Sequence, residues 1–341
     1  MSAISTISEL FTLSGSQYRI YDVGRKIDKI SKEQFKKIEL NQQPYPFPSQ
    51  GHAFIAAAFW QKGSNAPYLW FIKIPLDERG LLNQGARNHF IAIIIEALGS
   101  DLSADPTERQ EALLKNNPYH FTPAQYKLAA LNSIISHELK QAPSQYYQDC
   151  LSYLKGEGGW DQWHGLGVQG ISDFVARIED KTHQQVLIQA LPKLPPQVLA
   201  PLCSALENKK YPVELIRSLL ARLQDARESG ENELELSLLR ALASNCEHLD
   251  VTSFADSYLL EGKIGSEQLI TLSGRCWPVL QTPERMSRYL ELLIAQEDNE
   301  LFTAIFKDLV AIPLIRPILF QCMRAPDRSP ALAKAIGQLF N

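Results

Sequence analysis

The second half of the chain carries apolar residues at every third or fourth position, which is the spacing of amphipathic helices. One such stripe consists of Val213, Ile216, Leu219, Leu220 and Leu223. Capping residues followed by proline, as in Thr282-Pro283 and Ser329-Pro330, mark the starts of later helices. The pattern predicts helices over residues 165–179, 181–191, 196–208, 212–228, 231–246, 251–261, 266–280, 284–296, 299–310, 313–324 and 330–340. Taken in pairs, these helices form units of about 28 to 35 residues, which is typical of HEAT-like or armadillo-like repeats.

The first part of the chain mixes helical and strand patterns. Residues 4–13 predict a short helix, and a second helix is predicted from its N-cap Ser31 to about Leu40. Between them, Tyr18–Val23 alternates with period two and predicts a strand.

Two apolar runs, His52–Trp60 and Tyr68–Ile74, flank the turn-forming segment QKGSNAP and predict an antiparallel hairpin. Three alanines at positions 56–58 leave the first run open to a helical interpretation. The predicted fold class is therefore α+β. A small N-terminal α/β region with an antiparallel hairpin is followed by a mainly α-helical, HEAT-like α-solenoid.

A glycine-rich stretch from Gly156 to Phe174 holds six of the 18 glycines. It contains G-x-G-x-x-G, but no buried strand precedes the motif, so the pattern favours close packing over a dinucleotide-binding loop. Two tryptophans here, Trp160 and Trp163, predict that the stretch is docked and fixes the orientation of the two halves.

The chain is predicted to divide into an α+β domain over residues 1–104, connecting helices over 105–155 and a helical-repeat domain over 156–341. Within the connecting helices, Asp105-Pro106 and Thr122-Pro123 each predict an N-cap followed by a proline at the first helical position.

Charge is distributed unevenly along the 341 residues. Residues 1–155 carry 16 Lys and Arg against 14 Asp and Glu, a net charge of +2, whereas residues 156–341 carry 18 against 24, a net charge of −6. An acidic helical half argues against nucleic-acid binding, even though Trp160, Trp163 and Trp277 are suited to base stacking. A protein partner with a basic surface is the better match.

Cysteine usage and hydropathy bear on location. The five cysteines are scattered and never occur in C-x-x-C spacing, so neither a disulfide framework nor a zinc site is indicated. The N-terminus lacks a signal-peptide pattern, and no apolar run is long enough to span a membrane. We therefore expect a cytoplasmic protein without membrane contact.

The segment PLDERGLLNQGARNHF carries the strongest candidate chemistry in the N-terminal region. Asp77, Glu78 and Arg79 follow a predicted strand, with Arg87 and His89 nearby, and charged residues at a strand end are often functional. Alternatively, Asp77 and Glu78 form a charged cap at the start of the next helix.

Four phrases, YRIYDVGRKIDKI, PYPFP, WFIKIPLDERGLL and GWDQWHGLGVQGISDF, resemble a bacterial family of unknown function known from gammaproteobacteria. The resemblance extends over nearly the whole chain and implies no activity and no catalytic residues.

Two functions are consistent with these patterns. The first is a non-enzymatic interaction or scaffold module that binds a protein partner through a helical-repeat surface, since P-loop, H-E-x-x-H and G-x-S-x-G motifs are all absent. The alternative is a small-molecule or enzymatic pocket near Asp77, Glu78 and Arg79, with the repeats as a docking arm. No cofactor is indicated. The candidate functional surface comprises Asp77, Glu78, Arg79, Arg87, His89, Trp160 and Trp163.

Overall fold

The computed structural model describes residues 4–61, 63–64, 66–98 and 116–339. The chain forms two compact units, one made of Met1–Pro123 with Val310–Pro313 and the other of Ala124–Leu309 with Leu314–Asn341. The glycine-rich stretch that begins at Gly156 therefore lies inside the second unit and not at the boundary between units. The predicted Asp105-Pro106 cap lies outside the described residues.

The first unit is built around a four-stranded antiparallel sheet. Its elements are α1 (Ile7–Leu13), β1 (Gln17–Asp22), β2 (Asp28–Ile30), α2 (Lys32–Glu39), β3 (His52–Trp60), β4 (Tyr68–Pro75) and α3 (Gln84–Leu98). The strand order is β2-β1-β3-β4, and β3 and β4 form the predicted hairpin. The fold class predicted from the sequence, a small antiparallel α+β region followed by helices, is confirmed.

The alanines of β3 lie in the middle of this sheet. Ala56 is aligned with Tyr21 of β1 on one side and with Phe71 of β4 on the other, and it is fully buried. Small side chains on a central strand leave room for large neighbours on both adjacent strands. The helical interpretation of this run is therefore wrong.

Side-chain caps start both early helices. Thr6 and Glu9 form a capping box at α1, and Ser31 accepts a hydrogen bond from the Gln34 amide at α2, as predicted. The fully buried Glu39, at the end of α2, also accepts the amides of Ile7 and Ser8 at the start of α1. Burial raises the pKa of this carboxyl group, although the hydrogen bonds that it accepts oppose the rise.

The second unit consists of helices joined by short turns. They are α4 (Gln125–Glu138), α5 (Tyr147–Leu154), α6 (Val168–Ala176), α7 (Lys181–Ala190), α8 (Pro196–Leu206), α9 (Val213–Glu228), α10 (Asn232–Ala241), α11 (Leu249–Glu261), α12 (Ser266–Gly274), α13 (Pro283–Ile294), α14 (Asn299–Ala311), α15 (Arg316–Arg324) and α16 (Pro330–Gln338). The predicted caps Thr282 and Ser329 accept hydrogen bonds from the third amide of α13 and α16, respectively. These local signals therefore predicted the starts of both helices correctly.

Most of these helices pack against the next helix but one. Helices α4, α6, α8, α10 and α12 form one layer, and α7, α9, α11, α13 and α15 form a second layer. Side-chain bonds join successive members of a layer, such as Arg217 to Asp250 and Arg240 to Glu207. Each of these two bonds spans 33 residues, which agrees with the predicted unit length.

Three predicted helix boundaries were wrong. Helix α4 begins at Gln125 with Ala124 at the N-cap, so Thr122-Pro123 does not cap it. The predicted helix over 266–280 ends at Gly274, and a separate 3₁₀ turn follows over Trp277–Leu280, because Pro278 cannot continue an α-helix. The predicted helix over 231–246 gives way to a 3₁₀ turn after Ala241.

All five cysteines are buried, and none of them forms a disulfide bond within the described residues. Burial raises the pKa of the Cys150 and Cys203 thiols to about 12, so both are protonated and unreactive at neutral pH. Among the helices of the described ranges, none combines the length and apolar character needed to cross a bilayer.

Candidate functional site

Asp77 organises the turn that follows β4. Its Oδ1 accepts the amides of Arg79 at 2.9 Å and Leu81 at 2.8 Å, and its Oδ2 lies 3.3 Å from the Arg79 guanidinium. The Leu81 amide makes the largest contribution to lowering the pKa of Asp77, so the carboxylate stays ionised. Glu78 is exposed in the same turn. These contacts hold the residues of the turn together.

The turn does not cap α3. That helix begins at Gln84, and the Asn83 side chain accepts the Ala86 amide at 2.9 Å at its start. Asp77 and Glu78 lie too far upstream to face the first helical turn, so their interpretation as a helix cap is wrong.

Arg87 and His89 make contacts elsewhere in the first unit. Arg87 is buried and donates to the backbone carbonyl of Glu39 and to Oδ1 of Asn88 at 2.8 Å. Desolvation lowers the pKa of Arg87. His89 is exposed, and its Nδ1 lies 3.1 Å from the Tyr119 hydroxyl. The five predicted residues are thus not gathered into one site. Three of them lie in the turn after β4, Arg87 packs against the end of α2, and His89 contacts Tyr119.

Trp160 and Trp163 differ in their surroundings, although both are half-buried. The Trp160 ring packs edge-on against Tyr153, with ring centroids 5.6 Å apart, and the Tyr153 hydroxyl donates to the Trp160 carbonyl at 2.8 Å. Trp163 stacks on the exposed His164 with ring centroids 4.0 Å apart. Trp160 therefore anchors the glycine-rich stretch to α5, whereas Trp163 remains at the surface.

Gly170 permits a close approach between α6 and the start of α5. A Cβ atom at this position would lie 2.4 Å from the Tyr146 carbonyl oxygen, which no side chain tolerates. The role of this glycine in the G-x-G-x-x-G pattern is therefore close packing, as the sequence predicted.

A polar groove lies where the α9–α10 turn runs beside the α11–α12 turn, and we call it the turn groove. Its volume is about 660 Å³, within the range of binding clefts. Its charged lining consists of Arg227, Glu228, Glu235, Glu261, Lys263 and Glu267. Four glutamates against one arginine and one lysine give this lining a net charge of −2.

The floor of the turn groove is rigidly held. The buried Glu235 accepts the Tyr258 hydroxyl at 2.6 Å and the Gln268 amide at 3.2 Å. Arg227 lies over the Tyr258 ring at 4.4 Å and donates to Glu261 at 2.8 Å. Burial, followed by the hydrogen bond to Glu235, raises the pKa of Tyr258, so the phenol remains a neutral donor.

The rim of the turn groove carries exposed carboxylates. Glu228 and Glu261 are the last residues of α9 and α11, where the negative end of the helix dipole disfavours a carboxylate. Helix stabilisation therefore does not explain these two positions. The sequence showed the acidic excess of this half, but it gave no sign that the two turns lie side by side.

Among the described residues, no group of three or more His, Cys, Asp or Glu side chains is placed to hold a metal ion. Residues 2–340 match the family described as "Protein of unknown function (DUF3549)". No curated protein and no solved structure matches the chain.

Proposed function

We propose, for a chain that belongs to the DUF3549 family of proteins of unknown function, a non-enzymatic role in binding a partner protein. In this proposal, the turn groove holds a basic segment of that partner. The single observation that supports it most strongly is a sizeable groove with a fixed polar floor and an acidic rim, located between two helical turns.

We propose that the helical unit acts as a HEAT-like scaffold. Alternate helices stack in two layers, and bonds such as Arg227 to Glu261 connect residues one predicted repeat apart. Stacked repeats present their turns in a row, and such rows commonly bind extended protein segments. We propose the bacterial cytoplasm as the location of this module, because five cysteines without a disulfide among the described residues suit a reducing compartment.

A basic partner follows from the charges that remain after internal pairing. Arg227 is paired with Glu261 and lies 3.5 Å from Glu235. By contrast, Glu267 forms no hydrogen bond or ion pair with a cationic side chain among the described residues. A lysine or arginine on a partner would meet Glu228 and Glu267 at the rim. Such complementarity increases association rate and specificity more than raw affinity.

A charge-reversal experiment tests the proposal. We would titrate the full chain with labelled lysine-rich and glutamate-rich peptides and follow fluorescence anisotropy at low and moderate salt. We expect only the lysine-rich peptide to bind, and Glu228→Lys combined with Glu267→Lys to weaken binding by about tenfold or more.

The matched control combines Glu33→Lys with Glu96→Lys, which changes the net charge equally at exposed positions of the first unit. This control should retain binding. Equal weakening by both double variants would show attraction to net charge alone, and the turn groove would then not be the binding site.

A further inference from the structure

Helix α15 has one buried and one exposed face. Leu319 and Cys322 are buried, and the Cys322 sulfur lies 3.3 Å from the Ser287 hydroxyl of α13. On the opposite side, Phe320 keeps 40% of its surface exposed, and the nearby Leu314 keeps 63%. Large apolar side chains are therefore presented to solvent on α15 and just before it.

This exposed face borders a second groove, which we call the α15 groove. It has a volume of about 650 Å³ and is lined by Pro317, Phe320, Gln321, Arg324, Ala325 and Pro326. Its walls are mainly apolar, and Arg324 is the only charged lining residue among those that the structure describes. The α15 groove is thus mainly apolar and positively charged, whereas the turn groove is polar and negatively charged.

Arg324 is available to a partner. Within the described residues it forms no hydrogen bond or ion pair, and its side chain is exposed. A purely structural explanation for Arg324 is that its positive charge complements the C-terminal carbonyl groups of α15. However, Arg328 already donates to the carbonyls of Met323 at 2.8 Å and Ala325 at 3.2 Å, so those groups have a cationic partner.

We infer that the α15 groove binds a peptide segment of a partner protein in which an apolar side chain lies next to a carboxylate. The apolar side chain would pack between Phe320 and the flanking prolines, and the carboxylate would pair with the Arg324 guanidinium, which suits bidentate pairing. This segment is opposite in charge to the one proposed for the turn groove, so the inference stands independently of that proposal.

A random library of peptides of about 12 residues, displayed on phage, provides the probe, because docked segments engage a few anchor positions along a short stretch. The library is selected against the full chain. We expect enriched peptides to combine acidic and large apolar residues. Arg324→Glu and Phe320→Ala should each weaken binding of a synthesised representative by about tenfold, since hot-spot contacts are of this size.

Two controls match these variants. Lys334→Glu reverses an exposed charge on the neighbouring helix α16, and Leu249→Ala shortens an exposed leucine on α11. Both should bind the peptide as the parent chain does. Because the four altered side chains are exposed, circular dichroism should show unchanged folding for all variants.

Several results would overturn the inference. They are the absence of any enriched peptide family, enrichment of basic peptides, or binding that survives both groove substitutions. Arg324-dependent sedimentation with phosphatidylserine vesicles, without peptide binding, would assign the groove to a lipid surface. A concentration-dependent dimer that Phe320→Ala abolishes would assign it to a second copy of this chain.

Discussion

Buried polar side chains in the second unit are paired across helices that are distant in the sequence. Asp173 is almost fully buried and accepts the Ser133 hydroxyl at 2.7 Å and the Ser144 amide at 2.9 Å. His183 of α7 places its Nε2 2.7 Å from the Tyr147 hydroxyl. Its buried Nδ1 lies 3.7 Å from Asp180 and forms no hydrogen bond with a described residue. Such groups tie neighbouring helices together and make stability sensitive to protonation.

We expect His183 to make the fold less stable at mildly acidic pH. Burial lowers the pKa of this imidazole from its ordinary value of 6.5, although Asp180 partly opposes the effect. The folded state therefore binds fewer protons than the unfolded chain, and the free energy of unfolding should fall as pH drops through 6.5. Urea unfolding between about pH 8 and pH 5 measures this slope.

The variant His183→Gln should lose this part of the slope, whereas His89→Gln, at an exposed position, should keep it. An unchanged slope in the His183 variant would assign the pH dependence to other groups.

At the scale of elements, the C-terminal ends of α8, α10 and α12 meet at a buried carboxylate. Glu207 is fully buried, and Arg240 contacts both of its oxygens at 3.0 Å. Arg275 lies 3.2 Å from the same group. Cations near helix C-termini are favourable, so the two arginines stabilise their own helices as well as the carboxylate. This cluster joins three successive members of one layer.

Replacing Glu207 by Gln should destabilise the second unit by about 2–4 kcal/mol, because two guanidinium groups would lose their counter-charge in a partly buried setting. Chemical unfolding of the full chain measures the change. Glu247→Gln is the control, because Glu247 is exposed and lies 3.5 Å from Lys210, and exposed pairs contribute about 0–1 kcal/mol. Similar effects from both variants would mean that the cluster is not specially stabilising.

At the scale of the whole molecule, the glycine-rich stretch lies within one compact unit. The boundary between the compact units follows Pro123, and Gly156 to Gly170 belongs to the second unit. Within that unit, Trp160 contacts Tyr153, and Lys193 lies 5.5 Å above its ring. The prediction that this stretch is held in place can therefore be tested at Trp160.

Chymotrypsin should cleave the native chain slowly at Trp160. Tyr153→Phe removes the hydroxyl that donates to the Trp160 carbonyl, and loss of about 1 kcal/mol should accelerate cleavage roughly fivefold. Tyr146→Phe, at an exposed tyrosine, is the control. Rapid cleavage of the unaltered chain into two stable fragments would instead identify a hinge.

Residues close in sequence determined much of the secondary structure. Each of the signals that predicted secondary structure lies within a few residues of sequence. They are the period-two pattern of β1, the helical stripes and the caps at Ser31, Thr282 and Ser329. Thr122 shows the limit of such signals. Threonine followed by proline is typical of a helix start, and yet α4 starts after Ala124. The acidic balance of the second half was also readable from composition alone.

Only the tertiary structure decided which of these residues meet. Arg87 was predicted as a site residue because it is charged and near Asp77, but packing buries it against Glu39. The lining of the turn groove comes from two turns more than 30 residues apart, and at the end of α15 it is Arg328 that donates to the Met323 carbonyl. Helix periodicity specifies which face is buried, whereas the choice of partner depends on contacts between distant segments that no local pattern encodes.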